Sequence, residues 1–261
     1  MDGDYSVLLG LFSTRTFDEH FIQTPMFEPM LKVHRNMDWS FCCDIQELQD
    51  NGHLEYKSRR FYNYVLCKTS VLLNMRGLGD ETIDVENLYR ENYTTFDSSC
   101  IYYGKATGRR DMEHLKDSMI KLFDLPNKTF KDGDKLFEII TELLQGEGIV
   151  IVTAYPDSSH YMAHNREDAL IRSTGIENLT NIAHGHTYGK YSGCDETTIH
   201  NYGFMLKYAF FLNYLNDGPE PFTLEDICRE RMFMDDQKDK QQNGDCQHLH
   251  IKCKHCNLAV N

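Results

Sequence analysis

Residues 100–110 read Cys-Ile-Tyr-Tyr-Gly-Lys-Ala-Thr-Gly-Arg-Arg, and the fold turns on how this stretch is read. Ile101 and the two tyrosines make Cys100–Tyr103 a short strand, ended by Gly104. Arg109 and Arg110 then lead into a helix over Asp111–Phe123. Its apolar residues Met112, Leu115, Met119, Ile120 and Phe123 share one face. Upstream, Phe61–Leu66 (FYNYVL) is a second strand. The intervening residues 74–99 are polar and contain glycine, which predicts a long connection with a helical piece around Val85–Tyr93. Downstream, Lys135–Gln145 is an amphipathic helix closed by Gly146. Gly148–Tyr155 is the most apolar strand and is expected at the centre of the sheet. His164–Ser173 is a helix stopped by Gly175, residues 181–193 are a Gly- and His-rich loop, and Tyr202–Leu215 is a strongly apolar helix. This order predicts an α/β (α+β) domain, a small mixed sheet flanked by helices.

The chain has 261 residues, 41% apolar and 26% charged, enough to bury a globular core. No run approaches the roughly 20 apolar residues that cross a bilayer, so no membrane partner is expected. The apolar stretch near residue 10 follows acids, not the basic residues of a secretory signal. Nine cysteines, an odd number scattered mostly singly, suit a reducing compartment, nuclear and/or cytoplasmic. A net charge of −13 counts against a broad nucleic-acid-binding surface. Residues 105–135 nevertheless hold eight basic and six acidic side chains, so a positive face can be local.

Four features carry chemistry: Tyr64 in the first strand; Tyr102 to Lys105, followed by Arg109 and Arg110; Glu167 on a helix; and Asn181 just after that helix. Each alone has a plainer reading. A strand tyrosine usually packs, paired arginines at a helix start are usually a solvated face, and a helical glutamate is usually on the surface.

Together they resemble the GIY-YIG endonuclease family. The run Tyr102-Tyr-Gly-Lys105 with Arg110 and His114-Leu115 is similar to the second half of that signature, and Tyr64-Val65-Leu66 to the first. Arg166-Glu-Asp-Ala169, Leu179-Thr-Asn181 and Gly185-His-Thr-Tyr-Gly189 resemble the branch formed by animal LEM-domain and ankyrin-repeat endonucleases. The similarity covers about residues 60–228. It implies hydrolysis of DNA phosphodiesters, with branched or distorted DNA as substrate and Mg²⁺ (or Mn²⁺) as cofactor. By the same resemblance Tyr64 helps deprotonate the attacking water and Tyr102 supports nucleophile and phosphate. Arg110 binds the phosphate, with Arg109 the near alternative and Lys105 a further substrate contact. Glu167 is the single metal-binding carboxylate and Asn181 closes the site. Two phenols, a guanidinium and a carboxylate are thus expected to converge on one pocket.

One residue departs from the pattern: the family's Gly-Lys-Gly is Gly104-Lys105-Ala106 here. Glycine often serves where the backbone takes positive φ. Ala106 and the acidic balance support an alternative, a non-catalytic DNA-binding or scaffold protein that retained the fold. The expected organisation is an N-terminal extension over 1–57, the nuclease-like domain over 58–228 and a polar Cys/His-rich tail over 229–261. Met37–Gln49 reads as a short helix in the extension, and residues 235–245 as a polar linker. Neither ankyrin repeats nor a LEM domain is found in residues 1–59. In the tail, Cys253-x-x-Cys256 with its flanking histidines has ligand types for Zn²⁺. A His-rich tract without a metal is the favoured reading, because the signal is compositional.

Overall fold

A computed structural model describes residues 60–76, 85–123, 135–226, 228 and 229. The expected helix at Met37–Gln49, the linker and the tail lie outside these residues.

Three strands form one antiparallel sheet: β1 (Phe61–Lys68), β2 (Cys100–Ala106) and β3 (Ile149–Ser158), in the order β2-β1-β3. Six helices accompany them among the described residues: α1 (Thr69–Leu72), α2 (Val85–Ser99), α3 (Glu113–Phe123), α4 (Lys135–Leu144), α5 (His160–Thr174) and α6 (Glu196–Asp217). The expected mixed α/β class is observed. β2 continues through Gly104 to Ala106, and α2 extends six residues beyond its expected end.

The central strand is β1, not the apolar β3. Residues 63–67 are buried in unbroken succession, because both faces of β1 are covered. On one face Val65 and Cys67 join Val150, Val152, Tyr103 and the apolar side of α6 in the main core. On the other, Tyr64 and Leu66 face the side of the sheet where Leu115, Ile139, Ile140 and Leu143 are buried on α3 and α4. β3 is hydrophobic because its faces are buried, although it lies at an edge. That edge position suits Pro156, which has no N–H for a ladder bond. β3 also bulges there: Phe61 pairs with Ser158 and Asn63 with Ala154, and Tyr155 between them takes φ 58°. Of the apolar face expected on α3, Met112 and Leu115 are buried but Ile120 is 58% exposed.

Two capped helices close the core. Ser159 caps α5 by accepting from the Met162 amide, and Gly175 ends it at φ 87°. Asp195 caps α6 by accepting from the Thr198 amide, and Gly218 ends it in the left-handed region. An aromatic cluster of Tyr93 and Phe96 against Phe204, Tyr208, Phe211 and Tyr214 joins α2 to α6. The buried Lys207 ammonium beside it pairs with Asp97 at 2.9 Å. No described helix is long and apolar enough to cross a membrane.

The α5–α6 contact is closest at Gly203. A Cβ there would lie 2.2 Å from the Ala169 carbonyl oxygen and 2.3 Å from Ser173 Oγ. Gly203→Ala is therefore expected to cost about 1–3 kcal/mol of stability by forcing the helices apart. Gly193→Ala, where a Cβ meets nothing within 4 Å, is the neutral control in urea denaturation.

Candidate active site

The register of β1 against β2 places Tyr64 opposite Gly104 and Leu66 opposite Tyr102. Both tyrosines therefore project from the same face of the sheet. A Cβ on residue 104 would lie 2.6 Å from Tyr64 Cζ and 2.7 Å from its hydroxyl oxygen. The phenol thus lies flat on the strand, and this close approach is what requires glycine in Tyr-Tyr-Gly-Lys. Tyr64 is 2% exposed and its ring centroid is 6.0 Å from that of Tyr102. Its hydroxyl is paired with that of Tyr102. Burial, then the Tyr102 oxygen and the charge of Glu167, hold Tyr64 protonated far above the usual phenol range. Burial and Glu167 likewise raise Tyr102, opposed by the hydrogen bond with Tyr64 and the charge of Arg110.

The carboxylate arrives on α5, beside Lys105. Asn63 Nδ2 donates to the Ala163 carbonyl of α5 at 2.9 Å, and Lys105 Nζ meets Glu167 Oε2 at 2.7 Å. The charge of Glu167 acts on both tyrosines. Glu167 is only 8% exposed, and burial raises its pKa, opposed by Lys105.

Asn181 is placed as a positioning residue. Its Oδ1 accepts from the Tyr103 amide at 3.1 Å and its Nδ2 donates to the Tyr103 carbonyl at 2.8 Å. With Thr180, bonded to the Ile101 carbonyl, it covers the outer edge of β2. Arg110 opens a short 3₁₀ turn, Arg110–Met112, and its side chain is 68% exposed beside Glu113 at 3.4 Å. Its charge acts on Tyr102 and His114, whereas that of Arg109 acts on Tyr62. Arg110 is therefore the arginine on the side of the paired phenols. Ala106 pairs with Tyr62 as an ordinary strand residue; positive φ falls at Gly108 instead. The alanine costs the backbone nothing.

Three further residues border the site. His114 lies 5.0 Å from the Tyr102 ring and 6.3 Å from Tyr64. Lys135 Nζ stands 3.2 Å from His114 Nε2 and 3.8 Å from the centroid of the Tyr102 ring. His164 packs one helical turn before Glu167, its Nδ1 4.0 Å from Glu167 Oε2. His114 follows Arg110 by four residues and His164 precedes Glu167 by three, spacings the sequence displays. Lys135 carries no local signal, because only packing brings α4 here.

A family model for the LEM-3-like GIY-YIG domain matches residues 61–229. The chain belongs to this family. No curated protein and no solved structure matches it. GIY-YIG domains form a nuclease family, and the match spans all three strands of the sheet, both tyrosines and Glu167. Of the described part of this GIY-YIG chain, one compact unit runs to Leu224.

Gly104→Ala is expected to expel the Tyr64 ring and destabilise the domain by about 1–3 kcal/mol, read from the urea midpoint. A second expectation concerns His114, which faces Lys135 on α4, Arg110 on the 3₁₀ turn, Tyr64 on β1 and Tyr102 on β2. Burial, then Lys135 and Arg110, lower its pKa to about 4. Unfolded, it takes a proton near pH 6.5. Its stabilisation is full above pH 6.5 and lost as pH falls from there toward 4. His114→Gln should lose less stability than the parent between pH 7 and pH 4.5.

Proposed function

We propose that this chain is a metal-dependent DNA endonuclease acting on branched or distorted DNA. The observation that carries this reading is the Tyr64–Tyr102 hydroxyl pair over Gly104, with the charge of Glu167 reaching both phenols. The nuclease domain is taken as residues 58–228 and its place of work as the nucleus or cytoplasm.

The residues fit a divalent ion. Glu167 supplies a buried carboxylate, and His164 Nδ1, a buried ring nitrogen with no hydrogen-bond partner, stands 4.0 Å from it. Mg²⁺ or Mn²⁺ held by Glu167 would supply positive charge beside the scissile phosphate. Arg110 offers its planar fork to phosphate oxygens, and its exposure lets it reach a large substrate. Lys105 beside Glu167 and Lys135 beside Tyr102 add positive charge. Tyr64 and Tyr102 orient the attacking water through their paired hydroxyls. The negative charge of Glu167 disfavours either phenolate. A cation on that carboxylate would remove only its smaller share of the penalty; burial is the larger cause and keeps Tyr64 protonated, so its hydroxyl serves to orient the attacking water. Asn181 holds β2 in place throughout.

A net charge of −13 leaves little field for reading long DNA, which favours recognition of shape at a junction. Purified protein with Mg²⁺ or Mn²⁺ is expected to cut a branched duplex, and EDTA to stop it. Tyr64→Phe and Glu167→Gln should each lower the rate by about 10²-fold or more. Protein that binds the junction and never nicks it, with either ion, makes this a non-catalytic DNA-binding member instead.

A further inference from the structure

We propose that His164 is a second protein ligand to the divalent ion at Glu167, giving a mixed nitrogen–oxygen site that prefers a transition metal such as Mn²⁺ to Mg²⁺. This rests on the reading that Glu167 holds an ion. His164 and Glu167 are three apart on α5, so they share one face of the helix. His164 is 6% exposed, and its Nδ1 is buried without a hydrogen-bond partner. A buried polar atom left unpaired is costly, and a bound ion is one way to satisfy it.

Nδ1 stands 4.0 Å from Oε2 of Glu167. Metal–nitrogen and metal–oxygen bonds of roughly 2.0–2.2 Å each let one ion touch both atoms at that separation. The same Oε2 holds the Lys105 ammonium at 2.7 Å, which an ion bound there would have to displace or share the carboxylate with. The imidazole is held by its neighbours. His160 meets it edge-on at 4.3 Å, Tyr188 lies at 5.4 Å and His186 at 5.6 Å between ring centroids. Tyr188 is fixed in turn by the Asn165 amide, which bonds both its backbone groups. Mg²⁺ favours an all-oxygen shell, whereas Mn²⁺, and more strongly the transition metals after it, accept an imidazole nitrogen.

The test uses the full chain loaded with Mn²⁺ without DNA, read by electron spin-echo modulation and by titration of free Mn²⁺. The parent should show ¹⁴N modulation from a directly bound imidazole. His164→Ala or His164→Gln, whichever keeps the parent's circular dichroism, should lose it and bind Mn²⁺ at least about tenfold more weakly, with a smaller change for Mg²⁺. Absence of ¹⁴N modulation in the parent overturns the proposal without any variant. Modulation that survives in the folded variant overturns it too. A chain that shows the nitrogen coupling yet cuts no DNA refutes the nuclease reading and leaves the ligand standing. A chain that cuts DNA with no such coupling refutes the ligand alone.

Discussion

Residues 165–168 of α5, Asn-Arg-Glu-Asp, put four polar side chains in succession inside the protein, and each must find a partner there. Asn165 takes both backbone groups of Tyr188. Arg166 donates to Ser158 Oγ and lies over the Tyr155 ring, which ties the helix to the bulged end of β3. Glu167 meets Lys105 on β2. Asp168 accepts from Arg172 and from the Tyr191 hydroxyl. One turn of helix thus fixes an outer strand, the opposite strand and the loop that follows it. Because unpaired buried polar groups are expensive, these bonds are satisfied together or the helix is not seated at all.

The placement of Glu167 follows from this. A carboxylate on an exposed helix face would be screened and mobile. Here it is held against β2 by the bonds of its neighbours, and burial raises its pKa. Lys105 offsets part of that desolvation. The charge of Glu167 acts on Tyr64 and Tyr102, so the carboxylate and the phenols are electrostatically linked. Gly104 makes the strand thin at that point, because any side chain there would occupy the space of the Tyr64 ring.

The opposite covering of the sheet, by α3 and α4, serves the phenols. It brings His114 and Lys135 against Tyr102. Lys135 lies over the ring of Tyr102, an attraction that needs no hydrogen bond. The cations around the two tyrosines come from β2, the 3₁₀ turn and α4. A phosphate reaching this place would meet positive charge from several elements in a chain that is acidic overall.

Much of this was legible before any coordinates. The alternation and aromatic content of Phe61–Leu66 and Cys100–Tyr103, the glycine stops at 146 and 175, and the spaced motif residues define the element order and the family by local rules alone. Strand rank was not legible. β3 is more apolar than β1, yet hydrophobicity reports coverage of faces and not lateral position, so the centre of the sheet fell to β1. Nor could sequence show that Glu167 is buried, since a glutamate on a helix is by default solvated; its burial depends on Asn165, Arg166 and Asp168 finding distant partners. Asn181 bonds to Tyr103 and Lys135 packs on Tyr102 for the same reason. The sequence determined which groups are present and which elements carry them. The tertiary structure decided which face each group uses, because facing depends on strand register and on where buried polar atoms can be satisfied, and both are long-range.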